Sequence, residues 1–161
     1  SSMLIVALGV TQACNDKAQV LPMLEQLATL PASLGEPKAL VADTGFYSGK
    51  NVEACAAYGI DPFIAVKREQ HHPAPTERFT EPGALPAEAT PAQTMAHKLK
   101  TMAGRALYAL RKQTVEPVFG IIKSVLGFRQ FSLRGLKKVT GEWTLVCLAW
   151  NLKRMAVLRP L

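Results

Sequence analysis

The sequence predicts an α/β fold built on a largely parallel sheet, followed by C-terminal helices. Over residues 3–66, apolar runs of strand length alternate with segments whose apolar residues recur at helical spacing. This strand–helix–strand–helix–strand order implies right-handed crossovers and parallel strands. From about residue 95 the periodicity is helical, and 48% hydrophobic content in 161 residues is enough for the core of one domain.

The first half contains three predicted strands and two predicted helices. Residues 3–11 form an apolar run typical of a strand, and the capping signal at 15–17 begins a helix predicted over 16–30. The short apolar run at 39–42 is typical of a central strand that is covered on both faces. A helix capped by Ser48 and closed by Gly59 leads to a strand at 62–66.

Residues 67–94 are predicted to be an insertion or linker on the surface and the least ordered internal stretch, because they contain five prolines and little apolar periodicity. The pair His71–His72 lies within this stretch. A metal role for the pair is disfavoured, because a proline-flanked loop is a poor platform for ligands.

The C-terminal helices have a clear pattern. One broad apolar stripe contains Leu107, Leu110, Thr114, Val118, Ile121, Ile122 and Val125, and Lys112, Glu116, Gly120 and Lys123 lie opposite. Pro117 should kink this helix or begin a new one. A basic, aromatic connector at 127–135 leads to a final helix predicted over 139–155.

The charge distribution favours a polyanionic partner. The net charge is +7, and residues 98–138 contain ten basic residues but one acid, Glu116. Basicity for solubility and contact with anionic lipid are the alternatives. Three widely spaced cysteines argue for a reducing compartment rather than a disulfide framework or zinc knuckle. No apolar run reaches the roughly 18 residues of a membrane span.

Two acids are the candidate metal ligands. Asp43 ends a predicted strand at the edge where open parallel sheets bind ligands, and Gly45 allows the chain to turn away. Glu116 shares a helix face with Lys123, an arrangement that suits phosphate binding. Asp43 could instead begin a turn or cap a helix, and Glu116 could pair with Lys112. If both acids bind the same metals, their carboxylates should approach within roughly 4–8 Å. Asp16 and Asp61 are weaker candidates, since one resembles a helix cap and the other begins a strand.

Seven stretches of the chain, considered together, carry a resemblance to a known family: Met3–Ala7, Asn15–Lys17, Leu21–Glu25, Ala42–Phe46, Arg105–Gly120, Gly127–Phe131 and Leu148–Arg154. With them, from about residue 3 to residue 158, the chain resembles the C-terminal part of the catalytic domain of bacterial insertion-sequence transposases of the DDE class, close to the IS1182-like group within the wider IS4/IS5-like assemblage. The family's helix signature, Tyr-x2-Arg-x3-Glu-x6-Lys, is matched in its second half by Glu116 and Lys123, whereas Tyr108 and Arg111 lie one place early.

The resemblance implies a ribonuclease-H-like fold, incomplete at its N-terminus, and metal-dependent DNA cleavage and strand transfer with Mg²⁺ or Mn²⁺. Asp43 and Glu116 match the second catalytic Asp and the catalytic Glu. The family's first catalytic Asp would lie upstream, so this chain alone is expected to be inactive. The alternative is a catalytically inactive DNA-binding remnant. The residues expected to bind DNA are Arg111, Lys112, Lys123, Arg129 and Arg134.

The resemblance also predicts the organisation and setting of the protein. A partial sheet with helices should occupy residues 1–66, the linker 67–94, and the C-terminal helices with the catalytic Glu 95–161. The expected partner is DNA at the ends of the element, with no membrane and a homodimer in the full-length protein. The expected location is the bacterial cytoplasm, in association with the nucleoid.

Overall fold

The computed structural model describes residues 2–67 and 80–159. The chain divides into two compact units, a central unit (Asn15–Arg111) and a terminal unit (Ser1–Cys14 with Lys112–Leu161). This grouping does not follow the ranges predicted from the sequence, 1–66, 67–94 and 95–161, which remain predictions. His71–His72 and most of the predicted linker lie outside the described residues.

The central unit contains a two-stranded parallel sheet, and helices precede, separate and follow its two strands along the chain. Ala39 lies opposite Asp61 and Ala42 lies opposite Ile64, so the parallel pairing predicted for these strands is confirmed. The elements are α1 (Val20–Ala28), β1 (Ala39–Ala42), α2 (Gly49–Ala57), β2 (Asp61–Ile64), α3 (Pro91–Lys100) and the beginning of α4 (Met102–Ser124).

Local signals explain where these helices begin and end. The Ser48 hydroxyl accepts a hydrogen bond of 3.1 Å from the Asn51 N–H, and Gly59 adopts a φ of +68° after α2, so both predicted limits are confirmed. Helix α3 begins earlier than the predicted residue 95, because Thr90 caps it in a reciprocal capping box with Gln93 and Pro91 occupies its first position.

Two buried clusters hold the central unit together. The first is formed by Val20 and Leu24 of α1, Cys55 of α2 and Ile60. The second is formed by Phe63 of β2, Ala65, and Met95 and Leu99 of α3. The residues of β1 are each half-buried, so the prediction that both of its faces are covered is met only in part.

Asp61, one of the weaker candidates for a metal ligand, makes a structural contact with Lys98 of α3. Its carboxylate forms an ion pair with the Lys98 ammonium, which also donates to the Pro62 carbonyl at 3.0 Å. The same ammonium lies 4.0 Å from the centre of the Phe63 ring. This carboxylate therefore serves to attach α3 to the start of β2.

In the terminal unit, the prediction of a strand at residues 3–11 is wrong, because these residues form no strand. The backbone groups of Met3 and Ile5 are instead bonded by side chains of α5 (Leu136–Leu158). Asn151 binds Ile5 at two points: its Oδ1 accepts from the Ile5 N–H at 2.9 Å, and its Nδ2 donates to the Ile5 carbonyl at 2.7 Å. Trp150 Nε1 donates to the Met3 carbonyl at 2.8 Å.

Helix α4 continues through Pro117, so no new helix begins there. Fewer of its residues are buried than the predicted apolar stripe contains. Val118 and Ile122 are buried with Trp150 of α5, whereas Leu110 is 45% exposed and Val125 is 60% exposed. The final helix α5 is longer than the predicted 139–155: it begins three residues earlier and ends three residues later.

Within the described residues, no helix combines the length and apolar character needed to cross a membrane. The three cysteines are thiols, and Cys55 and Cys147 are buried.

Candidate metal and nucleic-acid sites

Asp43 lies directly after β1, at the edge of the sheet predicted from the sequence. The Ala65 N–H, which follows β2, donates to the Ala42 carbonyl at 3.2 Å, so the two strands end side by side. Oδ1 of Asp43 accepts a 3.0 Å hydrogen bond from the Gly45 N–H and caps the 3₁₀ turn Thr44–Phe46. The exposed Asp43 therefore has the turn role considered as the alternative, and one of its two carboxylate oxygens is used in it.

A second carboxylate, that of Asp16, lies beside Asp43. A Cβ added to Gly45 would meet Asp43 Oδ1 at 3.2 Å and Asp16 Oδ2 at 3.4 Å, so the two acids flank the same small volume. Asp16 precedes the 3₁₀ turn Lys17–Gln19, and its side chain makes no capping hydrogen bond there. The sequence did not predict that Asp16 lies close to Asp43, because Asp16 resembles a helix cap and the proximity depends on how the turn after each residue packs against the other.

Asn51 holds these two turns together. It is 6% exposed, and its Nδ2 donates to the Lys17 carbonyl at 2.9 Å and to the Phe46 carbonyl at 2.7 Å. One amide group therefore joins the segment that carries Asp16 to the segment that carries Asp43. Asn51 lies on α2, and no sequence motif identified it, since a single asparagine inside a helix carries no signal of its own.

The carboxylates of Asp16 and Asp43 are suitable in kind for a hard divalent cation such as Mg²⁺, which prefers oxygen ligands. Over residues 2–67 and 80–159, no group of three or more His, Cys, Asp or Glu residues is arranged to hold a metal. Asp43 belongs to the central unit and Glu116 to the terminal unit. The predicted approach of these two carboxylates within roughly 4–8 Å, the span that shared metals bridge, remains a prediction.

Glu116 lies on the exposed polar face of α4, as the helical pattern predicted. Lys112, Gly120 and Lys123 are exposed with it, while Val118 and Ile122 are buried. Glu116 and Lys123 are seven residues apart, which places them within about 20° on the helix and about 10 Å apart along its axis. This spacing presents a carboxylate and an ammonium to the same side of α4.

Lys123 also lines an open groove in the terminal unit. The groove has a volume of about 450 Å³. Its lining residues are Gly9, Val10, Thr11, Phe119, Ile122, Lys123, Phe128, Arg129, Gln130, Phe131 and Trp143. Two residues predicted to bind DNA, Lys123 of α4 and Arg129 of the connector, are thus brought to one surface.

Four aromatic rings form one cluster in this groove. Phe119 and Trp143 are nearly parallel, with centroids 6.0 Å apart and planes at 5°. Phe128 makes an edge contact with Phe131, their centroids lying 5.4 Å apart. Phe119 is 45% exposed and Phe131 is 42% exposed, so part of the cluster faces solvent.

The connector that carries Phe128, Arg129 and Phe131 is held by Glu142 of α5. Its carboxylate accepts hydrogen bonds from the Ser132 N–H at 2.8 Å and the Leu133 N–H at 3.0 Å. These two backbone donors hold the pKa of Glu142 below its ordinary value of 4.5. The charged form of Glu142 therefore positions one wall of the groove.

We expect acidification to release the connector. Because the pKa of Glu142 is lowered in the folded protein, the stabilisation is complete above pH 4.5 and is lost as the pH falls through the folded value. Amide resonances of Ser132 and Leu133 should move with this titration. In Glu142→Gln, which cannot ionise, that movement should disappear. An unchanged titration in the variant would assign it to another group.

The net charge of the protein is confined to one unit. The terminal unit carries nine basic and two acidic residues, whereas the central unit carries ten of each, so the terminal unit accounts for the whole +7. Lys112, Lys123, Arg129 and Arg134 belong to the terminal unit, and Arg111 ends the central unit. The Arg111 guanidinium lies 5.6 Å from the centre of the Tyr108 ring.

A protein-family model matches part of the chain. The model of the transposase DDE domain matches residues 84–156, just under half of the chain. The matched stretch contains Glu116, Lys123 and the connector, but not Asp43. No curated protein and no solved structure matches the chain.

Proposed function

We propose that this chain is part of the catalytic domain of a DDE transposase, and that it contributes to DNA transposition by cutting and joining DNA strands. The observation that carries the proposal is the match of residues 84–156 to the transposase DDE domain, because this stretch contains Glu116 and Lys123 on one exposed helix face. The fold proposed is ribonuclease-H-like, and the finer assignment is to the bacterial IS1182-like group.

In this proposal Asp43 and Glu116 hold Mg²⁺ or Mn²⁺, and Asp16 adds a carboxylate beside Asp43. The metal would activate the attacking oxygen and stabilise the leaving oxygen of a phosphodiester. Lys123 places a positive charge on the same side of α4 as Glu116, where it can bind a DNA phosphate. Asn51 keeps the turn after β1 in place, and with it the carboxylate of Asp43.

The terminal unit supplies the proposed DNA surface. Its charge of +7 falls on 64 of the 161 residues, and Lys123 and Arg129 lie at one groove. A surface of this charge attracts nucleic acid without regard to sequence. We propose that the protein acts on the ends of its element as a homodimer in its full-length form, in the bacterial cytoplasm and associated with the nucleoid.

Salt dependence of DNA binding tests this surface. The logarithm of the binding constant for duplex DNA should fall linearly with the logarithm of the salt concentration, and each phosphate contact contributes about 0.9 to the slope. Lys123→Ala and Arg129→Ala should each remove one phosphate contact and so reduce the magnitude of the slope by about 0.9. Lys50→Ala changes an exposed lysine of the central unit and should leave the slope unchanged. A chain that does not bind DNA would contradict the proposal.

A second candidate is a DNA-binding remnant without catalysis. It is favoured by the absence, in the described part of the chain, of a cluster of three acidic or metal-binding side chains. Both candidates predict the same salt dependence. Mg²⁺-dependent strand transfer by the full-length protein on the terminal repeats of the element separates them, because only a catalytic domain can contribute to it.

A further inference from the structure

Helix α5 is apolar on two opposite sides, and its outer side faces solvent. Cys147 and Trp150 are buried on the inner side, within the terminal unit. The outer side carries four large apolar residues that are between 46% and 67% exposed: Leu145, Leu148, Leu152 and Met155. A helix that is apolar all round is normally buried all round, because apolar surface in water is unfavourable. A contiguous exposed apolar patch of this kind marks a binding surface.

The outer side has the spacing of a surface that pairs with another helix. Its four large residues follow one another at intervals of three, four and three positions, the a and d pattern of a coiled coil. Exposed Gly141 continues this pattern toward the start of the helix, and a Cβ added there would meet nothing within 4 Å. Glycine inside a helix costs stability but lets another backbone come close. The surface from Gly141 to Met155, here called the α5 seam, is about 21 Å long and fits two heptads of a second helix.

The charges around the α5 seam indicate which kind of helix fits it. Exposed Lys138 and Arg159 lie in line with the seam, about one turn beyond its two ends, and exposed Lys153 flanks it. The one acid in the sequence of α5, Glu142, is bonded to the connector. A complementary helix should therefore carry acidic residues beside its apolar stripe and at its ends.

Three other occupants suit the seam less well. A second copy of α5 would place Lys138 near Arg159 in an antiparallel pair, or near its own equivalent in a parallel pair, so like charges would meet in either direction. Duplex DNA would satisfy the cations, but its phosphates offer nothing to the apolar side chains between them. A membrane surface takes up helices with a broad apolar face, whereas this seam has the narrower a and d stripe.

We propose that the α5 seam binds an amphipathic helix of an acidic protein partner. The apolar residues of that helix pack between the leucines of the seam, and its carboxylates pair with Lys138, Lys153 and Arg159. Binding there leaves the inner side of α5, with Cys147 and Trp150, in its present packing. The proposal goes beyond the proposed function and does not depend on it, because the seam is exposed whether or not the protein acts on DNA.

A designed peptide of three heptads tests the proposal, with leucine at positions a and d and glutamate at e and g. The complete chain should bind the labelled peptide in fluorescence anisotropy. The double variant Leu148→Gln/Leu152→Gln should bind it at least about tenfold more weakly, since two leucines no longer lose their contact with water. Both residues are exposed, so the fold should persist, as circular dichroism would show. Leu21→Gln makes the same change at an exposed leucine of α1 and is the matched control.

A second peptide needs no variant of the protein. It has lysine in place of every glutamate, and the unchanged chain should bind it at least about tenfold more weakly, because like charges then meet. Equal affinity for the two peptides would overturn the acidic partner, and failure to bind the glutamate peptide would overturn the seam as a helix site. A dimeric mass in light scattering that the double variant abolishes would assign the seam to a second copy instead. Sedimentation with phosphatidylserine vesicles that the double variant abolishes would assign it to a membrane surface. Each of these contrary results would leave the proposed function intact.

Discussion

Glu116→Gln and Asp43→Asn are each expected to lower Mg²⁺-dependent strand transfer by the full-length protein about a thousandfold. Each change keeps the size of the side chain but removes a negative oxygen ligand, and a catalytic metal supplies several kcal/mol of transition-state stabilisation. A loss of about 4 kcal/mol corresponds to about three orders of magnitude in rate. Product formation on labelled terminal repeats measures the effect.

Glu25→Gln is the matched control, since it makes the same change of charge at an exposed position of α1. It should leave the rate within about twofold, as is usual for surface substitutions away from a site. Retention of more than a tenth of the activity by Asp43→Asn or Glu116→Gln would remove that residue from the metal site. If Fe²⁺ replaces Mg²⁺ and peroxide is added, backbone cleavage near both residue 43 and residue 116 would show that they share one site.

Trp150→Ala is expected to lower the free energy of unfolding of the terminal unit by about 3–5 kcal/mol, the usual cost of truncating a buried tryptophan. Trp150 is 4% exposed and packs against Val118 and Ile122. Its Nε1 also donates to the Met3 carbonyl, so the same change releases the N-terminal segment. Urea unfolding followed by the fluorescence of Trp143, which the variant retains, measures the loss.

Leu145→Ala serves as the control on the same helix, because Leu145 is 67% exposed. Its effect should stay within about 0.5 kcal/mol. Trp150→Phe keeps most of the packing but cannot donate to Met3, and it should lie between the two. A loss below 1 kcal/mol for Trp150→Ala would mean that the contact between α5 and the N-terminal segment does not support this unit.

Local signals explain why so much of the central unit was predictable. Ser48 and Gly59 act on the few residues beside them, and the apolar run before Asp43 is short, continuous and bounded by polar residues. The parallel pairing of β1 and β2 also follows from local order, because a helix between two strands returns the chain in the same direction. The exposed face of α4 that contains Glu116 and Lys123 was predictable from its period alone.

The misassigned strand shows the limit of such signals. Residues 3–11 have the composition of a strand, but a strand also needs a neighbouring backbone with which to pair. Asn151 occupies that role for Ile5, because its side-chain amide offers the same donor and acceptor as a peptide group. Nothing in the apolar run itself distinguishes pairing with a neighbouring strand from pairing with Asn151, which lies 146 residues further along the chain.

The sequence by itself determined the two paired strands and most of the helices, the position of Asp43 after β1, the exposed face of α4 and the positive charge, since these depend on neighbouring residues or on composition. Tertiary packing decided the rest. The proximity of Asp16 to Asp43 depends on the bridge made by Asn51 between two turns. The aromatic groove depends on α4, the connector and α5 meeting with residues 9–11. Contacts between residues distant in the sequence have no local pattern, because the energy that selects them arises only when the chain folds.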